Sequence, residues 1–247
     1  MSPFDPEWID KTEARCCVYG LLTLCFCEPT AKLIHDLVNS NLIAAFRECF
    51  EVLKVAGIED TFEAMEAFHQ VHQEHDAESI WRLCNAEYMR LFVGPGHLPC
   101  PPYESVYRTD VPAERRGLLM GKAAIAVQKK YKKARLGITP DHTDLPDHIS
   151  TELEFMYFLC KKELEAWEKG DYEKGKEWLM IQQEFLTEHL DVWVSAFSRA
   201  VEKASDNPFY LGIASLCRTH ISLDIERVKK VIETLEETYA LRKPKRI

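Results

Sequence analysis

Apolar residues recur at three- and four-residue spacing along most of this chain, and no stretch shows the convincing alternation of a half-buried strand, so the pattern predicts an all-α fold. From Pro6 to Cys27 the positions Ile9, Ala14, Cys17, Val18, Leu21, Leu22, Leu24 and Cys25 define a core helix, with Asp5 as cap and Pro6 in the first turn. Two shorter helices follow, Ala31 to Val38 and Leu42 to Ala56, parted by Asn39-Ser40-Asn41 and stopped by Gly57. A helix opened by Asp60-Thr61 runs to about His75, and Asp76 caps the next, whose Trp81, Cys84, Tyr88 and Leu91 share one face. Helical spacing resumes from Pro112 to Lys133, where Gly117 and Gly121 stand four apart and another backbone can come close. It continues from Asp147 to Lys169, then through Trp178, Ile181, Phe185, His189, Val192 and Ala196 towards Ala204, and from Phe209 to about Leu241 in one or two helices. The expectation is a single globular bundle of roughly nine or ten helices over residues 1–247, ending in a basic tail, 242–247, that frays.

Two stretches interrupt the periodicity. Arg90 to Tyr107 mixes Gly94, Pro95, Gly96, Pro99, Pro101 and Pro102 with Leu91, Phe92, Leu98, Tyr103 and Tyr107. Ordinary surface loops are polar, so a rigid apolar one is either a plug on the core or a surface meant to be touched. The second break, 134–146, is a candidate hinge long enough for helices to exchange between protomers, which leaves monomer and domain-swapped dimer both open. It leads into Pro146-Asp147-His148 at the head of the strongest helix. Asp144 or Asp147 is expected to cap that helix, and His148, in its first turn, is pushed towards the neutral form that both donates and accepts a hydrogen bond.

Composition narrows the function. With 31 basic against 40 acidic residues the formal charge is −9, which argues against nucleic acid and suits a positively charged partner. No apolar run approaches the roughly 18 residues that span a bilayer, and no leader pattern opens the chain, so a cytoplasmic location without stable membrane insertion is expected. Nine cysteines, an odd number, with Cys16, Cys17, Cys25, Cys160 and Cys217 inside apolar helical patterns, read as buried free thiols. There is no Gly-x-Ser-x-Gly elbow and no phosphate-cradling loop, so nothing calls for an enzyme. An alternative is a helical metal-binding protein or metalloenzyme using His69, His72 and Cys25 or Cys27. Against it, His69 and His75 lie too far around a helix to converge, and no Cys-x-x-Cys or His-Glu-x-x-His accompanies them.

Three motifs in order carry a resemblance: Glu87-Tyr88-Met89-Arg90-Leu91-Phe92-Val93-Gly94-Pro95-Gly96, then Pro101-Pro102-Tyr103-Glu104-Ser105-Val106-Tyr107, then Pro146-Asp147-His148-Ile149 with Glu152-Leu153-Glu154-Phe155-Met156. With Glu188-His189-Leu190, Trp193 and Phe209-Tyr210-Leu211, they make residues from about 80 to 215 similar to the TorD/DmsD family of cytoplasmic chaperones. The resemblance implies an all-helical protein that binds the twin-arginine signal peptide of a molybdopterin-dependent oxidoreductase. It would hold the apo enzyme back from export until cofactor insertion and folding are complete, catalysing no reaction. Guanine nucleotide is the one ligand of its own that the resemblance raises. Peptide binding is carried over onto Tyr88, Leu91, Phe92, Tyr103, Gly121, Asp147 and His148. Two departures, tyrosine where tryptophan is commoner and Cys100 before Pro101-Pro102, bear on which client is recognised. A receptor for paired arginines followed by an apolar run needs an apolar groove with carboxylates at one end. Leu91, Phe92, Tyr103 and Tyr107 suit the groove, and Glu104, Asp144 and Asp147, the last held behind Pro146, suit the acidic end. The two breaks are therefore expected to meet in one site.

Overall fold

In the computed structural model, which describes residues 6–72, 76–110, 121–134, 136 and 145–242, the elements in chain order are helical throughout. They are α1 (Pro6–Cys25), α2 (Ala31–Val38), α3 (Asn41–Val52), α4 (Glu59–His72), α5 (Ala77–Tyr88), the single turn α6 (Glu104–Tyr107), α7 (Lys122–Lys133), α8 (Ile149–Glu168), α9 (Tyr172–Phe185), α10 (Asp191–Ala204) and α11 (Pro208–Arg242). Two π-helical turns, Met89–Val93 and Leu186–Leu190, continue α5 and join α9 to α10. Apart from α6, that makes ten α-helices among the described residues, within the roughly nine or ten the periodicity predicts. Among the described residues the β pairing is one isolated antiparallel bridge, Tyr103 with His148.

Side-chain oxygens start several helices where the sequence places them. Thr30 accepts the amide of Leu33 at 3.1 Å, Asp76 that of Ser79 at 2.7 Å, and Asp171 that of Lys174 at 3.0 Å. Helix α3 stops at Val52, short of the expected Ala56, because Lys54 turns left-handed (φ 53°) and the Val55 amide reaches back to the Phe50 carbonyl. The chain after Asn207 forms one long helix, not two. The segments 111–120 and 137–144, which hold Gly117, Asp144 and most of the expected hinge, lie outside the described residues, as does the tail from 243.

Two faces differ from the periodic reading. On α1 the inward face is Trp8, Thr12, Ala14, Arg15, Val18, Tyr19, Leu22 and Cys25, so four of the expected core positions hold, while Cys17 and Leu24 are exposed. Four of those inward residues, Trp8, Thr12, Arg15 and Tyr19, are polar or carry a polar tip, so counting apolar letters captures only part of the face. Between α9 and α10 a constant 3.6 spacing predicts Val192 and Ala196 as core. The π turn inserts an extra residue, and the buried set continues instead as Leu190, Trp193, Val194, Phe197 and Val201, with Val192 exposed.

The core joins α1 tightly to α8, α8 to α9 and α10 to α11. Through its centre runs a fully buried polar network. The Arg15 guanidinium donates to Asp224 Oδ1 and Oδ2 (2.6 and 3.0 Å), Glu163 Oε2 (3.0 Å) and Gln182 Oε1 (2.5 Å). Trp8, Thr12 and Trp167 donate to Glu163 Oε1 at 2.9–3.1 Å, Gln182 Nε2 to Glu163 Oε2 at 2.8 Å, and Tyr19 to Asp224 Oδ2 at 2.8 Å. Burial works against the Asp224 charge, yet Arg15 beside it keeps that carboxyl below its ordinary range. Helices α1, α8, α9 and α11 are thereby locked in one register, and the remaining elements assemble on this frame.

Candidate functional site

The loop 90–107 meets the residues that follow the second break. Chain segments 102–105 and 147–149 pair side by side: the Glu104 amide donates to the Asp147 carbonyl at 2.9 Å and the Ile149 amide to the Pro102 carbonyl at 2.9 Å. The Asp147 carboxylate adds a third link, its Oδ2 accepting the Ser105 amide at 3.1 Å. Asp147 therefore anchors the start of α6 instead of capping α8. The cap of α8 is His148, whose Nδ1 accepts the Ser150 amide at 3.2 Å, which leaves its proton on Nε2. The Tyr103 ring stands edge-on to the His148 ring with centroids 5.2 Å apart. Pro146 closes the turn, its carbonyl accepting the Tyr131 hydroxyl of α7 at 2.8 Å. Gly121 heads α7, which packs against α6, with an ordinary φ of −72°.

The first π turn sets up this meeting. The Gly94 amide reaches the Met89 carbonyl at 2.6 Å, the five-residue spacing of a π turn, and a Cβ at Gly94 would lie 2.9 Å from that same oxygen. Only glycine closes the helix this tightly. The loop then folds back, the Cys100 amide donating to the Leu91 carbonyl at 3.2 Å. Leu91 and Phe92 are consequently core residues, at 0% and 3% exposure, not groove lining. Phe92 contacts Tyr88, Phe26, Phe197 and Tyr210 at 5.5–6.3 Å between ring centroids, and Tyr88 is itself buried. These three support the site from beneath. Half-buried Leu98, Pro101, Tyr103, Val106 and Tyr107, with exposed Val93, form its apolar surface.

Below that surface three carboxyl groups, Glu104, Asp147 and Glu152, are all at 0% exposure. Glu104 is already paired, with the Arg108 guanidinium and with His189 Nδ1 at 2.9 Å, so it is not a free acidic end for a ligand. Burial opposes its charge, but those donors hold Glu104 below the ordinary carboxylate range. Glu152 receives Trp193 Nε1 at 3.1 Å. Burial, then the Glu104 charge and a hydrogen bond given to Glu104, push it well above its ordinary value, so Glu152 is the neutral, donating partner. Asp147 is also raised, chiefly by burial and with Glu104 adding to it, although the Ser105 side chain and amide hold it back. The buried atoms here with no hydrogen-bonding partner among the described residues include Asp147 Oδ1, His189 Nε2 and the Tyr107 hydroxyl. At the rim, Arg108 bonds Asp110 at 2.6 and 2.7 Å and the Glu188 carbonyl at 3.1 Å, while Lys130 bridges the carboxylates of Glu184 and Glu188 at 2.7 Å each.

Arg108, Glu152, His189 and Trp193 complete the cluster, and none is among the site residues expected from sequence. Their signal is polar groups on apolar stripes: Glu152 one turn into α8, and His189 inside the second π turn, stacked on Phe185 at 4.9 Å. Nothing in the sequence marks that turn. Of the alternative metal set, Cys25 is fully buried, His69 is half-buried and the His72 side chain lies outside the described atoms. Among the described residues no group of His, Cys, Asp and Glu could hold a metal ion.

The pH response of this cluster is testable. Folding raises the Glu152 pKa above its ordinary 4.5, so the stability it contributes is fully present below that value and is lost as pH rises through the folded pKa. Glu104 runs the other way, contributing above its ordinary value and losing that contribution as pH falls. In Glu152→Gln the amide still accepts from Trp193 and donates to Glu104 without titrating. Thermal melts from pH 5 to about 9 are expected to show the wild type losing stability relative to this variant; parallel curves would put the shared proton elsewhere.

A family profile described as nitrate reductase delta subunit matches residues 54–199, a span that holds every residue of the cluster. The chain is 26% identical over 221 residues to the chaperone protein TorD of Shewanella loihica, covering 88% of this chain and 96% of that one. It is 24% identical over 232 residues to the perchlorate reductase assembly chaperone protein of Dechloromonas aromatica, covering 90% and 93%. Over 189 residues it is 24% identical to the Tat proofreading chaperone DmsD of Salmonella paratyphi A, covering 76% of each.

Proposed function

Since the chain belongs to the TorD/DmsD family, the family of the nitrate reductase delta subunit profile, we propose that it is a chaperone for a molybdopterin-dependent oxidoreductase. It binds the twin-arginine signal peptide of that client in the cytoplasm and holds the apo enzyme until cofactor insertion and folding are complete. It catalyses no reaction and needs no cofactor of its own. The observation that carries this reading is the pairing of segment 102–105 with 147–149, which brings the segment bearing half-buried Tyr103 and Tyr107 together with the buried carboxyl groups Glu104 and Asp147. Tyrosine offers a large amphipathic contact with few torsions to freeze, and the proline-set loop is ordered before any peptide arrives, so docking costs less entropy. The carboxylates of Asp110, Glu184 and Glu188 around the rim, on a chain of net charge −9, favour approach of a basic segment.

Calorimetric titration of the whole protein tests this, using synthetic twin-arginine peptides from the oxidoreductases encoded beside its gene. Saturable binding of at least one peptide is expected, weakened when its two arginines become lysines, because a guanidinium fork matches carboxylates better than an ammonium does. No binding by any of these peptides would overturn the reading.

A further inference from the structure

We propose that Cys17 and Cys49 form a redox-modification site, a dithiol that hydrogen peroxide closes into an intramolecular disulfide joining α1 to α3. The two helices pack against each other and run antiparallel. Glu7 near the start of α1 pairs with Lys54 just past the end of α3, and Leu21 and Leu24 near the end of α1 line one cleft with Leu42 and Ala45 near the start of α3. Cys17 shares a helix face with Leu21 and Leu24, and Cys49 shares one with Leu42 and Ala45, so that register sets Cys17 across from Cys49. Cys17 is exposed and Cys49 is 7% exposed, so an attacking sulfur faces solvent with a resolving sulfur directly behind it. The neighbouring Cys16 turns away, its thiol directed at the Tyr157 carbonyl of α8 at 3.8 Å.

The electrostatics agree with those roles. The Cys49 thiol donating to the Cys17 sulfur lowers the Cys17 pKa to about 7, against burial and the nearby Glu48 charge, and the same bond together with burial and Glu48 pushes Cys49 up. Burial raises Cys16 to about 11. In the first step the Cys17 thiolate attacks one peroxide oxygen. The O–O bond breaks, Cys17 becomes a sulfenic acid, and the departing hydroxide takes up the proton Cys17 had lost, giving water. In the second step the Cys49 sulfur attacks the Cys17 sulfur and the S–S bond forms. The sulfenic hydroxyl leaves with the Cys49 proton as a second water. Two thiols are oxidised and one peroxide is reduced.

Treating the whole protein with one equivalent of hydrogen peroxide and mapping its peptides by mass spectrometry tests the proposal. The expected product is monomeric, lacks two of the nine titratable thiols, contains a Cys17–Cys49 crosslink that dithiothreitol reverses, and melts at a higher temperature. Cys17→Ser and Cys49→Ala should each abolish the crosslink, whereas Cys16→Ser should leave it intact. A crosslink to any other cysteine, a disulfide-linked dimer through Cys17, or over-oxidation of Cys17 with Cys49 still reduced would each overturn it. Cys17 is exposed and serine is nearly isosteric, so Cys17→Ser keeps the test decisive even if Cys49→Ala fails to fold.

Discussion

Arg15→Met is expected to be the most damaging single change to stability in this protein, costing about 3–5 kcal/mol. The guanidinium supplies every charged donor to Asp224 and to Glu163 Oε2, and all three side chains are fully buried. Without it two carboxylates remain in the core, held only by the neutral donors Trp8, Thr12, Trp167, Tyr19 and Gln182. A buried charge that loses its partner keeps its full desolvation cost, which is why the loss exceeds the net worth of the pair. Denaturant unfolding should show the midpoint fall with the slope unchanged. Replacing the charges together, as Arg15→Met with Glu163→Leu and Asp224→Leu, should recover much of the loss, because no unpaired charge then remains. A single variant that unfolds within about 1 kcal/mol of wild type would show that water reaches the network. The sign with pH follows from Asp224: its depressed pKa contributes stability above its ordinary 3.8 that is lost as pH falls through the folded value, and this acid sensitivity should shrink without Arg15.

That network was invisible to the periodicity for the reason it matters. Hydrophobic counting finds Ala14, Val18, Leu22 and Cys25 but also faces Cys17 and Leu24 inward, and it misses Thr12, Arg15 and Tyr19, which point to the core as well. An isolated arginine on a helix normally signals the wet side, and only its partners on α8, α9 and α11, between 148 and 209 residues away, reverse that. The all-α class, most helix starts and the break at 90–107 were legible because caps, glycines and prolines act locally. Where a π turn adds a residue, as at Leu186–Leu190, the register downstream shifts by one and Val192 goes out instead of in. The same effect explains the site. Glycine and proline in 90–107 announced an unusual loop, but the π turn at Met89–Val93 decides that Leu91 and Phe92 hold the loop from inside while Tyr103 and Tyr107 stay within reach of solvent. Asp147 and His148 were found at the right place with their roles exchanged: the histidine caps α8, and the aspartate is left for α6.

Asp147→Asn should separate the charge of this aspartate from its architecture. Its Oδ2 accepts the Ser105 amide, and an asparagine oxygen can do the same, so the link between segments 102–105 and 147–149 survives. Removing the charge also relieves repulsion from Glu104, which with burial already raises the Asp147 pKa. The melting temperature is therefore expected to stay level or rise slightly. What asparagine cannot supply is negative charge at Oδ1, a buried acceptor with no donor among the described residues. A guanidinium arriving there would satisfy it with a charge-assisted bond worth roughly 1.5–3 kcal/mol, so twin-arginine peptide affinity should fall about tenfold or more. In the wild type the same affinity should weaken as pH falls through the raised Asp147 pKa, and that dependence should vanish in the variant. Asp147→Ala, which loses the Ser105 link as well, should lose affinity and about 1–3 kcal/mol of stability together. Calorimetric affinities and thermal melts of the three proteins decide between the roles. If asparagine binds the peptide as tightly as aspartate, Asp147 serves the fold alone, and the charge that meets the arginines must come from the rim carboxylates Asp110, Glu184 and Glu188.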